Sequence, residues 1–177
     1  MKFCCYDDFI KKRFKQFGTY QDAIDKDNDF LFHSYMASSM NCGLLTPQEV
    51  INKIRKLEKK IPINSYEGYI RQLFWREYQR YCYIYFDFTK KNYFGNKKKL
   101  GKEWYTGNVG SEPVDDCIKK AFNQGYLNHI QRLMIMGNYM NLSGIDPWEA
   151  LRWFIEFSCD SYEWVMTQNV LDMVFFV

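Results

Sequence analysis

Four groups of residues have types and spacings that could do chemistry. Gln72, Arg76, Gln79 and Arg80 recur at three- and four-residue intervals, so on a helix they line one face with amides and guanidinium groups. Such a stripe is either a solvated surface or a polar wall against a ligand, and spacing alone favours the surface. His129-Ile130-Gln131-Arg132 sets an imidazole, able to give a proton near neutral pH, three residues from a fixed cation. Leu133, Met134 and Met140 follow on the other face, and a lone histidine in that setting is more often structural. Ser34, Ser38 and Ser39 surround Met36, where hydroxyls either cap a helix or bond a phosphate. Lys97, Lys98 and Lys99 precede Trp104 and Tyr105, a mixture that fits either a phosphate backbone with a stacked base or a solvated lysine loop.

The elements that must position these groups are helices. Thr46-Pro47-Gln48-Glu49 puts a capping hydroxyl, a first-turn proline and a reciprocal glutamate ahead of Val50, Ile51, Ile54 and Leu57. Asn64 and Glu67 have the same spacing and predict a long helix to about Asp87. Asp146 with Glu149, and Asp160 with Glu163, predict two more capped starts. Residues 114–123 carry acids first and bases later, with a stop at Gly125. Strand signals are nearly absent, so the expected fold is all-α, a single helical bundle over residues 1–177. Residues 88–111 are the exception, a glycine-rich stretch long enough to be functional or partly disordered.

Composition bounds the function loosely. The 177 residues, 47% hydrophobic and 25% charged, suffice for one self-supporting core. A net charge of +3 is too mild to identify a nucleic-acid binder. The six cysteines form no C-x-x-C pair, which argues against structural zinc and for reduced thiols in a soluble, intracellular protein, cytoplasmic or nuclear. No apolar run is long enough for a membrane span. Aromatics reach 19%, suiting a chain that holds a flat ring system, or one written in an AT-rich genome.

The order of motifs adds a resemblance. Phe17-Gly18-x-Tyr20-x-Asp22-Ala23-Ile24, Phe32-His33-Ser34 and Gly43-Leu44-Leu45-Thr46-Pro47-x-Glu49-Val50 come first, followed by Asn64-Ser65-x-Glu67-Gly68-x-Ile70-Arg71-Gln72-x-x-Trp75-Arg76-Glu77. Then come Trp104-Tyr105-Thr106-Gly107, His129-Ile130-Gln131-Arg132-Leu133-Met134-x-x-Gly137-Asn138, Gly144-Ile145-Asp146-Pro147 and Asp160-x-x-Glu163-Trp164-Val165-x-x-x-Asn169. Over residues 17–173 this resembles the FAD-binding domain of photolyases and cryptochromes, most of all the bacterial iron–sulfur (6-4) photolyase branch.

The resemblance implies an all-helical domain around FAD, whose light-excited reduced form passes an electron to a flipped pyrimidine lesion and later takes it back. It places Ser34 and Ser38 at the FAD phosphates, and Gln72 and Arg76 where the long helix faces flavin and lesion. Arg132 and Asp160 become the ion pair beside the isoalloxazine ring, with Met166 and Asn169 close to it. His129 becomes the proton donor to the lesion, with Gln72 beside it, and Trp153 and Tyr105 become electron relays. UV-damaged DNA is the implied partner, touched by Gln72, Lys97, Lys98 and Lys99.

The departures from the family pattern are specific. The expected cluster cysteine is Pro113, with Cys117 four residues too far on, and the remaining cluster cysteines fall beyond the chain, so no iron–sulfur cluster is expected. A paired histidine is Asn128, a glutamate expected near the flavin is Met166, a serine of the phosphate segment is Ala37, and a relay position is Phe154. An N-terminal antenna lobe and a C-terminal cluster segment are expected to be absent, or supplied as separately encoded fragments. The face that such a lobe would cover, together with the apolar tail 174–177, is then expected to favour self-association. Three readings stay open: a photolyase-like fragment, a blue-light flavoprotein without repair activity, and a non-catalytic remnant without cofactor.

Overall fold

In a computed structural model the described residues are 4–88 and 91–176, with side chains described from Cys5. Their elements are helices: α1 (Cys4–Lys12), α2 (Phe14–Tyr20), α3 (Ala37–Asn41), α4 (Pro47–Ile54), a 3-10 turn (Arg55–Lys60) and the long α5 (Ile63–Tyr85). These are followed by α6 (Glu103–Thr106), α7 (Glu112–Gln124), α8 (Asn138–Leu142), α9 (Pro147–Phe157) and α10 (Glu163–Met166). Two π-helical segments, Gln131–Gly137 and Thr167–Asp172, run directly into α8 and out of α10. The all-α expectation holds; the one β feature among the described residues is an isolated parallel bridge between Lys98 and Ile145. Backbone contacts group the chain into two compact units, Met1–Tyr78 and Gln79–Val177, and the boundary falls inside α5.

The first unit is built on aromatic packing. Phe9, Phe14, Met36, Val50 and Ile54 are fully buried, and Tyr69 of α5 lies 4.9 Å from the Phe9 ring and 5.3 Å from the Phe17 ring. The α4 start is as expected: the Thr46 hydroxyl accepts from the Glu49 amide, and the Glu49 carboxylate accepts from the Thr46 amide. At α5 the expected box is absent. The helix begins one residue early, Asn64 donates to the Thr19 hydroxyl, and Glu67 pairs with Arg71. Close approach explains this: Ser65 bonds the Lys15 carbonyl and the Gly18 amide, pressing α2 onto the first turn of α5.

In the second unit the core joins Trp104, Ile118, Leu133, Met136, Met140, Trp153, Phe154, Val170 and Phe175. Asp146 caps α9 through the Trp148 and Glu149 amides, while the Glu149 carboxylate accepts from Arg152 and the Leu100 amide rather than turning back to the cap. Asp160 does not cap α10; its carboxylate is held by Arg132, and Tyr162 takes the cap position. The described part of the irregular stretch, which leaves out residues 89 and 90, is tethered: Lys98 pairs its backbone with Gly144 and Asp146, Asn96 bonds Asn141, and Asp115 accepts from Val109 and Gly110. Within the apolar tail Val174 and Phe175 belong to the core and offer no exposed surface; Phe176 is exposed, and Val177 lies outside the described residues.

Candidate functional site

Arg132 anchors the polar centre of the second unit. Its Nη2 lies 2.6 Å from Asp160 Oδ1, its Nε donates to the Leu127 carbonyl at 2.7 Å, and its guanidinium stands 5.4 Å from the Tyr126 ring centroid. Both charged side chains are only 11% and 12% exposed, so the pair is largely shielded from water. The start of this helix is set by a reciprocal cap that the sequence reading missed: Asn128 Oδ1 accepts from the Gln131 amide and Gln131 Oε1 from the Asn128 amide. The asparagine standing in place of a paired histidine therefore has a structural task, while its neighbour His129 is exposed.

A second polar contact comes from Gln79, which the sequence placed on the α5 stripe without a role. It is 3% exposed and donates to Asn169 Oδ1 at 2.8 Å. The adjacent Gln168 donates to Cys82 Sγ, and Met166 is buried in the apolar core. Arg132 and Asn169 each sit on a π segment, a form that widens a helix by one residue and recurs at functional sites. No spacing rule reveals a π segment in advance.

Trp153 is fully buried, and its indole N–H donates to the Trp104 carbonyl at 3.0 Å. Its ring centroid lies 5.3 Å from Phe157, which lies 5.6 Å from half-buried Tyr105. The two expected relay residues are thus bridged by Phe157, a ring the sequence reading did not single out.

The first unit holds the remaining expected residues. Arg76 donates to Asn41 Oδ1 at 3.1 Å, which ties it to the end of the α3 segment that begins beside Ser38. Ser34 hydrogen bonds to Tyr69, whose phenol is pushed well above its ordinary value by burial, with the Ser34 bond pulling the other way. Leu31 and Tyr35 both have positive φ, 41° and 58°, so a strained backbone brackets Phe32-His33-Ser34; such strain is stored preferentially at functional sites. Gln72 is exposed, as are Lys97, Lys98 and Lys99 of the second unit.

No family model matches the chain. It is, however, 38% identical over 170 residues to a (6-4) photolyase of Agrobacterium fabrum, an alignment covering 93% of this chain and 34% of that one. The chain belongs to the photolyase family. It spans about a third of the length of that photolyase. An uncharacterized protein, R853, of Acanthamoeba polyphaga mimivirus is 51% identical over 110 residues, 60% of this chain and 85% of its own. The crystal structure of a bacterial class III photolyase from Agrobacterium tumefaciens superposes with a TM-score of 0.81 at 18% identity, covering 96% of this chain and 36% of that one, which fixes the helical photolyase fold.

Photolyase-family membership raises the question of a flavin, and the second unit has the polar valences for one. The Ser158, Ser161 and Gln168 side-chain oxygens are buried without a hydrogen-bond partner, flanking Asp160 and Asn169 in sequence. Unmet buried oxygens cost free energy unless something satisfies them, and a flavin ring offers both donors and acceptors along one edge. The residues present fit such a group.

Proposed function

We propose that this chain holds FAD and acts as the flavin domain of a photolyase, driving light-dependent electron transfer to pyrimidine photoproducts in DNA. The buried Arg132–Asp160 pair is the observation that carries the reading. Arg132 and Asp160 would flank the isoalloxazine ring with Asn169, and Met166 would give it an apolar neighbour. Ser34, Ser38 and Arg76 would hold the diphosphate end. Bound FAD supplies light absorption and one-electron chemistry. A fixed guanidinium beside it would favour negative charge on the ring, and Asp160 holds that guanidinium in place. His129 would give a proton to the lesion, Gln72 would orient it, and Lys97, Lys98 and Lys99 would neutralise phosphates. Trp153 and Tyr105 would return electrons to the flavin. A separately supplied antenna lobe belongs to the same proposal.

A second reading, a light-responsive flavoprotein without repair activity, is supported by buried Met166 and by Asn128, whose side chain is committed to its cap. The absorption spectrum of the purified protein tests flavin binding: the expected result is bound FAD, and a colourless protein that takes up none on refolding would leave only a non-catalytic helical domain. Light-dependent loss of a (6-4) or cyclobutane lesion from an oligonucleotide then separates repair from sensing.

A further inference from the structure

Tyr93, Phe94 and Phe176 are 73%, 50% and 61% exposed, and their rings form one chain of contacts. The Tyr93 and Phe94 centroids lie 5.1 Å apart with the rings at right angles, and the Phe94 and Phe176 centroids lie 5.8 Å apart. A single exposed ring needs no explanation, whereas three in contact make an apolar surface that calls for a partner. Around them, residues 91–102 carry Lys91, Lys97, Lys98, Lys99 and Lys102, all exposed, and no acid. We propose that residues 91–102 form a binding site for unpaired nucleic acid, in which Tyr93 and Phe94 stack on bases and Lys97, Lys98 and Lys99 meet the phosphates. The site needs neither flavin nor lesion. It shares the three lysines with the photolyase reading but fails or survives independently of it.

The rings are held in place from below. Asn92 and Asn96 clasp the turn between them: Asn92 Nδ2 donates to the Asn96 carbonyl at 2.6 Å, and the Asn96 amide donates to Asn92 Oδ1 at 3.1 Å. Gly95 completes the turn with a left-handed backbone, φ 67°, which a side chain would strain. Asn96 Nδ2 then donates to Asn141 Oδ1 at 2.9 Å, and Asn141 Nδ2 to the Val174 carbonyl at 2.8 Å. These bonds join the loop, the end of α8 and the tail that carries Phe176. Lys98 is pinned through its backbone, its amide 3.0 Å from the Gly144 carbonyl and its carbonyl 2.9 Å from the Asp146 amide. A surface ordered in advance loses little binding energy to ordering.

Charge and shape together select the occupant. The fold brings two acids to this stretch, and both carboxylates are engaged, Asp146 by the α9 amides and Glu149 by Arg152 and the Leu100 amide. The lysines are left to an anion from outside. A second copy of the chain would set five lysines against five, a repulsion that disfavours pairing through this face. A bilayer would meet turns and extended backbone, whose polar groups hydrocarbon leaves unsatisfied. A duplex hides its base faces in its own stack, whereas an unpaired strand offers a base face and a phosphate at every nucleotide.

Fluorescence anisotropy with a labelled, undamaged oligothymidylate tests this on the full chain, in the dark and without added FAD. The single strand should bind more tightly than its duplex with oligoadenylate. Tyr93→Ala, a change on a mostly exposed side chain, should weaken binding at least about fivefold at every salt concentration, and Tyr93→Phe should restore it. Lys97→Ala, Lys98→Ala and Lys99→Ala combined should lower the slope of log affinity against log salt by about two. Wild-type affinity in Tyr93→Ala would overturn the proposal. So would no binding by the wild type, tighter binding to the duplex, or a preference for phosphatidylserine vesicles over the oligonucleotide. A chain that binds the oligonucleotide but takes up no FAD would sink the flavin reading alone and leave this site standing.

Discussion

Arg132 Nη2 and Asp160 Oδ1 lie 2.6 Å apart and join a π-helical segment to the turn before α10. With both side chains largely buried, removing one leaves the other without its counter-charge. Asp160→Ala should cost about 3 kcal/mol in denaturant unfolding, the low end for a broken buried pair because some exposure remains. Asp160→Asn, which keeps an acceptor, should cost less. Asp160→Ala should also abolish FAD uptake while Lys98→Ala, on an exposed side chain, leaves it intact; equal effects would place the flavin elsewhere.

Gly18 and Gly68 make opposite forecasts. A Cβ on Gly18 would stand 2.4 Å from the Asn64 carbonyl carbon and 2.5 Å from the Ser65 nitrogen, both backbone atoms that cannot swing aside. Gly18→Ala should destabilise by about 3 kcal/mol as α2 is pushed off α5. On Gly68 the added carbon meets only a Phe17 ring atom at 3.8 Å. Gly68→Ala should stabilise α5 by about 0.5–1 kcal/mol, read as a rise in the denaturation midpoint.

Alkaline pH should weaken the fold through Cys117. Burial first, and the nearby Asp116 charge second, push its thiol from the usual 9.0 up to about 12. The folded protein holds that proton while the unfolded chain releases it. The stabilisation is therefore complete below about pH 9 and is lost as pH rises toward 12, by up to about 1.4 kcal/mol per unit. Cys117→Ala should flatten that limb of the stability curve relative to wild type. The exposed thiols of Cys42 and Cys159 should react with iodoacetamide in the folded protein well before Cys117 does.

Asp146 accepts from both the Trp148 and Glu149 amides at the start of α9. Asp146→Ala should cost about 1 kcal/mol, and Thr46→Ala at α4 a similar amount, both measured by chemical denaturation. An unchanged midpoint in either would mean that another group takes over the cap.

Local rules made Thr46, Asp146 and Gly125 legible in the sequence, because a cap or a stop is decided within four residues. Asp160 and Asn64 obey the same spacing yet do something else, since Arg132, 28 positions away, and Thr19, 45 positions away, compete for their side chains. Gln79 was visible on the α5 stripe, but its partner Asn169 lies 90 positions on. The Arg132–Asp160 pair came from motif order and from no periodicity. Phe157 carried no signal, because a bridging ring is defined by what lies across from it.

The two π segments put a condition on chain length. A π turn absorbs one residue more than the α register needs, so straightening it to an ordinary helix with that residue kept would turn everything beyond it by about 100°, whereas removing the residue along with the bulge would leave the aim nearly unchanged. At 131–137 such a straightening would re-aim α8, and at 167–172 it would swing Val174 and Phe175 out of the core. The aim of these side chains is thus written in the residue count as well as in residue identity. Substitution scanning leaves that count untouched; single-residue deletion scanning would reveal it.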